Sequence, residues 1–270
     1  MSSVRRFYDE LAPDYHRIFQ DWDASMAAQA RALDALVGAA LGAGPHRLLD
    51  GACGIGTQAI GLARRGHRVA GTDLSPRAAA RAGREAAARG VSLPTAAADL
   101  RALPFGPATF DAAVCADNSL PHLLTPDDAH LALTGLRRVL RDDGLLLLTV
   151  RDYDEVRRTR PTAPPPQLSK DADGRETITL QLWDWHDDGE RYDLRHLQLT
   201  GEDGDWRVRE RRTTFWALTR EQLTGFVRGA GFTEVVWHTP QSTGFYQPVL
   251  TARRGTGQLA DSAATVRAHR

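Results

Sequence analysis

Apolar residues change their spacing several times along this chain, and each change marks a new piece of structure. From residue 5 to 41 they recur at helical intervals, interrupted near Pro13. Phe7, Tyr8, Tyr15, Phe19 and Trp22 gather at the front of this segment and an alanine-rich stretch follows. The segment ends at Gly42–Pro45, a breaker cluster. Short apolar runs then alternate with helical stretches. "RLLDGA", "HRVAGTD", "VSLPTAAAD", "FDAAVCAD" and "LLLLTVRD" read as strands; "TQAIGLARRG", "SPRAAARAGREAAARG" and "TPDDAHLALTGLRRVLRDDG" read as helices. Ser75–Pro76 and Thr125–Pro126 supply helix starts, and Gly66, Gly90 and Gly144 supply stops. Strand and helix alternating this regularly predict an α/β fold, a doubly wound and mostly parallel sheet covered on both faces.

After Asp154 the pattern changes. Residues 157–174 are proline-rich and polar, which predicts a loop or mobile connection. Three runs, 176–186, 190–200 and 206–215, alternate with period two and predict an antiparallel meander. "TREQLTGFVRGAG" returns to helix with Thr219 as its cap, and "FTEVVWH" and "FYQPVLTARR" bring the strands outside the meander to seven. The expected organisation is an N-terminal helical lid (1–44), a core (45–156 and 216–254), an inserted subdomain (157–215) and a disordered tail (255–270).

Composition narrows the possible partners. Basic and acidic residues both number 34, so no net charge draws the chain to nucleic acid or to a membrane surface. The opening residues contain no apolar core of signal-peptide length and no run reaches the span of a membrane helix, so the expected location is the cytoplasm. Two cysteines, Cys53 and Cys115, lie in apolar or glycine-rich segments; they predict neither a disulfide framework nor a metal site. The expected partner is a small molecule, and the meander offers a surface for a homo-oligomer.

"LLDGACGIGTQ", at 48–58, lies where the first strand turns into its helix, the ligand-binding place of a doubly wound sheet. A dinucleotide fingerprint needs glycines at relative positions one, three and six. Here Gly51, Gly54 and Gly56 fall at one, four and six, with Cys53 in the place of the second, and no lysine is available for a phosphate loop. Asp50 would repel a pyrophosphate and suits a cation. Asp73 closes the second strand, where a carboxylate accepts ribose hydroxyls. Asp99 closes the third, within reach of an adenine amine. The ligand so described has a ribose, a base and an ammonium but no phosphate, which fits S-adenosylmethionine.

The chain resembles the class I S-adenosylmethionine-dependent methyltransferases. "LLDGACGIG" is similar to their first motif, and "VAGTDLS", "AADLRALPF" and "FDAAVCADNSL" resemble the later ones, over roughly residues 46–150. The resemblance implies a Rossmann-like methyltransferase sheet of seven strands that uses S-adenosylmethionine and no metal. "CADNSLPHL", "TVRDYD" and "FYDELAPDYHRIFQDWDAS" look like stretches of the glycine and sarcosine N-methyltransferases. Asp152 for the usual asparagine, and Pro121 beside His122, depart from that pattern. The implied activity is methyl transfer to a small-molecule acceptor, an amine of an amino-acid-like metabolite. The alternatives are an O-methyltransferase acting on a natural product and an NAD-binding oxidoreductase.

The expected donor site comprises Tyr15, Trp22, Asp50, Gly51, Ala52, Cys53, Gly54, Gly56, Thr57, Asp73, Leu74, Asp99, Leu100, Ala116 and Asp117. Asn118, His122 and Arg151 are the expected catalytic residues. In the resembled family the arginine of Arg-x-Tyr-Asp holds the substrate carboxylate, a role that falls here to Arg151. His122 or Asp117 would take the acceptor's proton. Asn118, Arg151, Tyr153, Tyr192 and Tyr246 are the expected acceptor contacts.

Overall fold

The chain opens with two helices, α1 (Ser3–Leu11) and α2 (Trp22–Leu41), separated at Pro13 and by a 3-10 turn over Tyr15–Ile18. Asp21 caps α2 by accepting from the Ala24 amide. The computed structural model from which these elements are taken describes residues 3–170, 174–202 and 205–255. Strand and helix then alternate as the periodicity predicts: β1 (Arg47–Asp50), α3 (Thr57–Arg64), β2 (Arg68–Asp73), α4 (Pro76–Ala88), β3 (Thr95–Ala97), β4 (Phe110–Cys115), α5 (Pro126–Val139) and β5 (Leu140–Thr149). There follow α6 (Tyr153–Thr159), β6 (Gln167–Lys170), β7 (Glu176–Trp185), β8 (Arg191–Glu202), β9 (Asp205–Trp216), α7 (Arg220–Gly229), β10 (Phe232–His238), α8 (Pro240–Thr243) and β11 (Val249–Arg254).

Seven strands form one sheet in the order β10-β11-β5-β4-β1-β2-β3, with β11 antiparallel to both its neighbours and β1 to β5 parallel. Successive side chains of a strand point to opposite faces. Leu49, Ala113, Leu146, Leu148 and Leu250 accordingly join one core with α5 and α7, while Leu48, Ala112, Leu145, Leu147 and Val249 join the other with α2, α3 and α4. Both faces are covered, which is why these strands read as continuous apolar runs. Strand order reverses between β1 and β4, and the crevice at their carboxyl ends lies at that switch point.

The other four strands form an antiparallel sheet in the order β6-β7-β8-β9. It shares a core with the first, because Trp183, Tyr192, Leu194 and Phe215 cluster with Leu148, Val150 and Tyr153. Residues 157–174 are therefore not simply a loop. Their start completes α6, and residues 167–170 pair with 176–179 as β6. Only Ser169 of β6 is buried, so the strand carries no apolar alternation to read.

A second difference lies at α5, which stops at Val139 and not at Gly144. Leu140 is already extended and pairs with Phe110, and the chain then turns at Asp143 (φ 58°) before the ladder resumes at Leu145. From residue 256 on, the expected tail lies outside the described residues. Among the described residues no helix is long and apolar enough to cross a membrane.

The N-terminal segment is latched over the crevice. The Ser75 hydroxyl donates to Asp9 at 2.6 Å while accepting from the Ala78 amide, so one side chain both caps α4 and holds α1. Arg81 donates to the carbonyls of Ala12 and Pro13.

Candidate active site

The glycine turn after β1 is built from backbone hydrogen bonds that reach both flanking strands. Gly51 N donates to the Val114 carbonyl and Cys53 N to that of Thr72, each at 2.8 Å. Gly56 caps α3 at φ 99°, where a Cβ would also lie 2.7 Å from Ile60 Cδ1. Gly56→Ala is expected to lower stability by about 1–3 kcal/mol, read as a fall in Tm. Gly54 N donates to Asp73 Oδ2 at 2.8 Å, and Ser75 N donates to Asp73 Oδ1 at 2.8 Å, so the turn and β2 share one carboxylate.

Asp50 is 1% exposed, and its Oδ2 is buried with no hydrogen-bond partner; Oδ1 accepts from the Ala52 amide at 3.4 Å, and the Ala59 amide also favours the carboxylate. Burial raises its pKa to about 7 and that of Asp73 to about 6. Asp117 is likewise raised by burial. Two buried carboxylates and the half-buried Asp117 at one edge of the sheet, with Arg151 the cation coupled to Asp117, make a site that favours a positively charged ligand. Asp99 differs: both its oxygens are held by Arg101, which keeps its pKa below the usual range.

The N-terminal aromatics divide into two groups. The Tyr15 ring lies 3.3 Å from where a Cβ on Gly54 would sit, against the glycine turn. Trp22 donates from Nε1 to Thr57 Oγ1 at 2.8 Å, and its ring is covered by Arg89 and Arg81, 4.8 and 5.6 Å from its centre. Trp22 thus fastens the first residue of α3, and its ring is taken up by arginines; the expected donor contact is replaced by a positioning one.

On the acceptor side, β4 and β5 end in a network of named bonds. Asn118 Nδ2 donates to Tyr153 Oη at 2.8 Å and its Oδ1 accepts from Arg151 N at 3.2 Å. Tyr153 and Tyr192 share a hydroxyl–hydroxyl bond of 3.1 Å, and Arg151 Nη1 donates to Tyr192 Oη at 3.0 Å. The guanidinium lies over Trp183 and Phe215, 5.0 and 5.3 Å from the ring centres. Among the described residues it has no ion-pair partner.

The expected catalytic assignment of Asn118 changes accordingly, because both ends of its amide are engaged in presenting Arg151. His122 changes too. Its Nδ1 faces the Thr214 carbonyl at 3.2 Å, which can only accept, so Nδ1 carries the proton and Nε2 accepts from Tyr8 Oη at 2.7 Å. Burial pushes its pKa down to about 3. No lone pair is left for a substrate proton, and His122 instead ties α1 to the second sheet.

Comparison with known proteins agrees with this geometry. Residues 48–144 match the family model described as "Methyltransferase domain". Residues 48–144 are thus a methyltransferase domain of the class I S-adenosylmethionine-dependent kind. The glycine/sarcosine N-methyltransferase of Parasynechococcus marenigrum is 36% identical over 153 residues, 56% of this chain and 53% of that protein. The chain spans about half the length of the curated relatives it matches. Solved structures that share the fold include the following pair. CalS10, an amino pentose methyltransferase from Micromonospora echinaspora, aligns with TM-score 0.69 at 22% identity, covering 90% of this chain and 95% of its own. The CcbJ methyltransferase from Streptomyces caelestis aligns with TM-score 0.75 at 17% identity, covering 95% and 100%.

Several of the residues expected from sequence lie together at the carboxyl ends of β1, β4 and β5. All five tyrosines, Tyr8, Tyr15, Tyr153, Tyr192 and Tyr246, belong to the cluster; Tyr8 was the one not expected there. Its sequence signal was its place in the aromatic N-terminal stretch, and its partner His122 lies 114 residues away. Cys53 and Cys115 are buried, with thiol pKa values raised by burial, and are fillers.

Proposed function

We propose that this chain transfers a methyl group from S-adenosylmethionine to the amine of a small, carboxylate-bearing acceptor of amino-acid type. The observation that carries the acceptor class is Arg151, a partly buried guanidinium held between two aromatic rings and a tyrosine hydroxyl; among the described residues no carboxylate forms an ion pair with it, and Asp117 acts on it only at longer range. A cation placed at such cost asks for an anion from the ligand. The names of the curated relatives, glycine/sarcosine N-methyltransferases, support the same class.

The residues present fit the donor. The orphaned Oδ2 of Asp50 is the place for its ammonium, Asp73 for its ribose hydroxyls, and Leu100, packed beside Gly51, for its base, while Asp99 is taken up by Arg101. A dinucleotide would instead bring a pyrophosphate against Asp50. When bound, the donor supplies a methyl group on a positively charged sulfur. The chain's part is then mainly alignment, which can contribute about 7–11 kcal/mol. Arg151 fixes one end of the acceptor, and Tyr8 and Tyr15 close the crevice against water.

The test is incubation with methyl-labelled S-adenosylmethionine and a panel of glycine, sarcosine, simple amines and phenols, with products read by mass spectrometry. Label on nitrogen of the amino acids is expected. Label confined to phenolic oxygen, or none at all, would overturn the assignment.

A further inference from the structure

Asp117 lies two residues past the end of β4, and both it and Asn118 adopt the left-handed region, at φ 54° and 64°. That turn brings Asp117 N to Thr149 Oγ1 at 2.8 Å, two residues before Arg151 on the neighbouring strand. The hydroxyl of Tyr246 donates to Asp117 Oδ1. Among the described residues no hydrogen bond reaches Oδ2 and no cation pairs with the carboxylate. Tyr246 itself is 54% exposed and stands between the carboxylate and solvent.

The charged or titratable groups that face Asp117 are few. They are Tyr246 from the loop before β11, Arg151 from the end of β5, and Tyr8 and Tyr15 from the N-terminal segment. Asp50 and Asp73 close β1 and β2 at the glycine turn, and His122 has no free lone pair. Asp117 is thus the carboxylate left over at the acceptor side, one strand away from the guanidinium that would hold the acceptor's own carboxylate.

We propose that Asp117 belongs to the acceptor and not the donor: it receives the acceptor's ammonium, takes one proton from it, and with Arg151 restricts the acceptor to molecules bearing both charges. This rests on the reading of Arg151 as the carboxylate anchor. In the proton step an N–H bond of the ammonium breaks and an O–H bond forms at Asp117, leaving the nitrogen lone pair free for the methyl group. The proton then passes to solvent at the exposed edge of Tyr246, so one proton leaves per methyl transferred. Burial raises the carboxyl pKa, which narrows the gap between it and the ammonium and makes the transfer less uphill.

Asp117→Asn and Asp117→Gly test this, since both residues tolerate a positive φ and leave the turn intact. The probes are sarcosine, acetate (carboxylate without amine) and S-adenosylmethionine, each titrated by calorimetry, together with the pH profile of kcat/KM for sarcosine. Both variants are expected to bind sarcosine at least ten-fold more weakly, to bind acetate and S-adenosylmethionine within two-fold of wild type, and to lose the acid limb of the profile. Weakened S-adenosylmethionine binding with sarcosine unchanged would return Asp117 to the donor site. Equal loss of sarcosine and acetate would make its role structural. Unchanged binding of all three would overturn the proposal alone. Failure of the wild type to bind either sarcosine or acetate would overturn the Arg151 reading, and this proposal with it.

Discussion

Asp50→Asn is expected to fold more stably than the wild type at and above neutral pH and to bind S-adenosylmethionine far more weakly. The two effects have one cause. Asp50 is buried with one oxygen unpartnered, so its ionised form is disfavoured until a ligand cation arrives. Its folded pKa of about 7 stands above its ordinary value of 3.8, so between those pH values the native state holds a proton that the unfolded chain has lost. Wild-type stability therefore falls as pH rises from about 4 to about 7 on account of this group. Asn removes that slope, and the two proteins should converge in stability near pH 4, as seen in urea titrations across the range. The same change leaves the ligand's ammonium unmatched, a loss of about 2–5 kcal/mol, or roughly thirty- to several-thousand-fold in Kd. Wild-type affinity should itself decline as pH falls below about 7, because the protonated carboxyl no longer attracts a cation. Calorimetric titration measures both. An unchanged Kd in the variant would remove Asp50 from the donor site.

Arg151→Met carries the second large effect, on the other side of the crevice. Methionine can fill the space between Trp183 and Phe215, and Tyr192 keeps its bond to Tyr153. The fold and the donor site should survive, with S-adenosylmethionine Kd and Tm close to wild type. The acceptor KM for sarcosine should rise by roughly a hundred-fold, the scale for removing one partner of a buried charge pair. Arg151→Lys should recover part of this, since a point charge replaces a planar fork that pairs with a carboxylate in two places. Equal loss of donor and acceptor binding would show that Arg151 supports the fold only.

The sheet was legible because its strands are buried on both faces and separated by strong helix signals such as Ser75–Pro76 and Thr125–Pro126. β6 was not, because an edge strand of four residues with one buried side chain has no pattern to detect. The end of α5 was misplaced because Gly144 is a conspicuous stop, whereas Leu140 leaves the helix to pair with Phe110, a contact invisible in the local sequence. The carboxylates at the sheet's edge were legible by position: Asp50 and Asp73 both close strands of a parallel sheet. Asp99 lies two residues past β3, where it caps the next turn and Arg101 takes both its oxygens. On the acceptor side the roles were hidden by distance. His122 is set by Tyr8 and Thr214, 114 and 92 residues away, and Asn118 by Tyr153. Each looked like a group for the substrate until its partners were known.

The most direct measurement compares sarcosine with its primary amide as methyl acceptors, at equal concentration and with labelled S-adenosylmethionine. The two share the methylated amine and differ at the carboxylate that Arg151 is proposed to hold; comparing rates per free amine corrects for the lower basicity of the amide. Transfer to sarcosine, with kcat/KM for the amide lower by roughly a hundred-fold, is the expected result. Equal rates for the two, or transfer to neither, would contradict the reading of this crevice as a site for methylating amino acids.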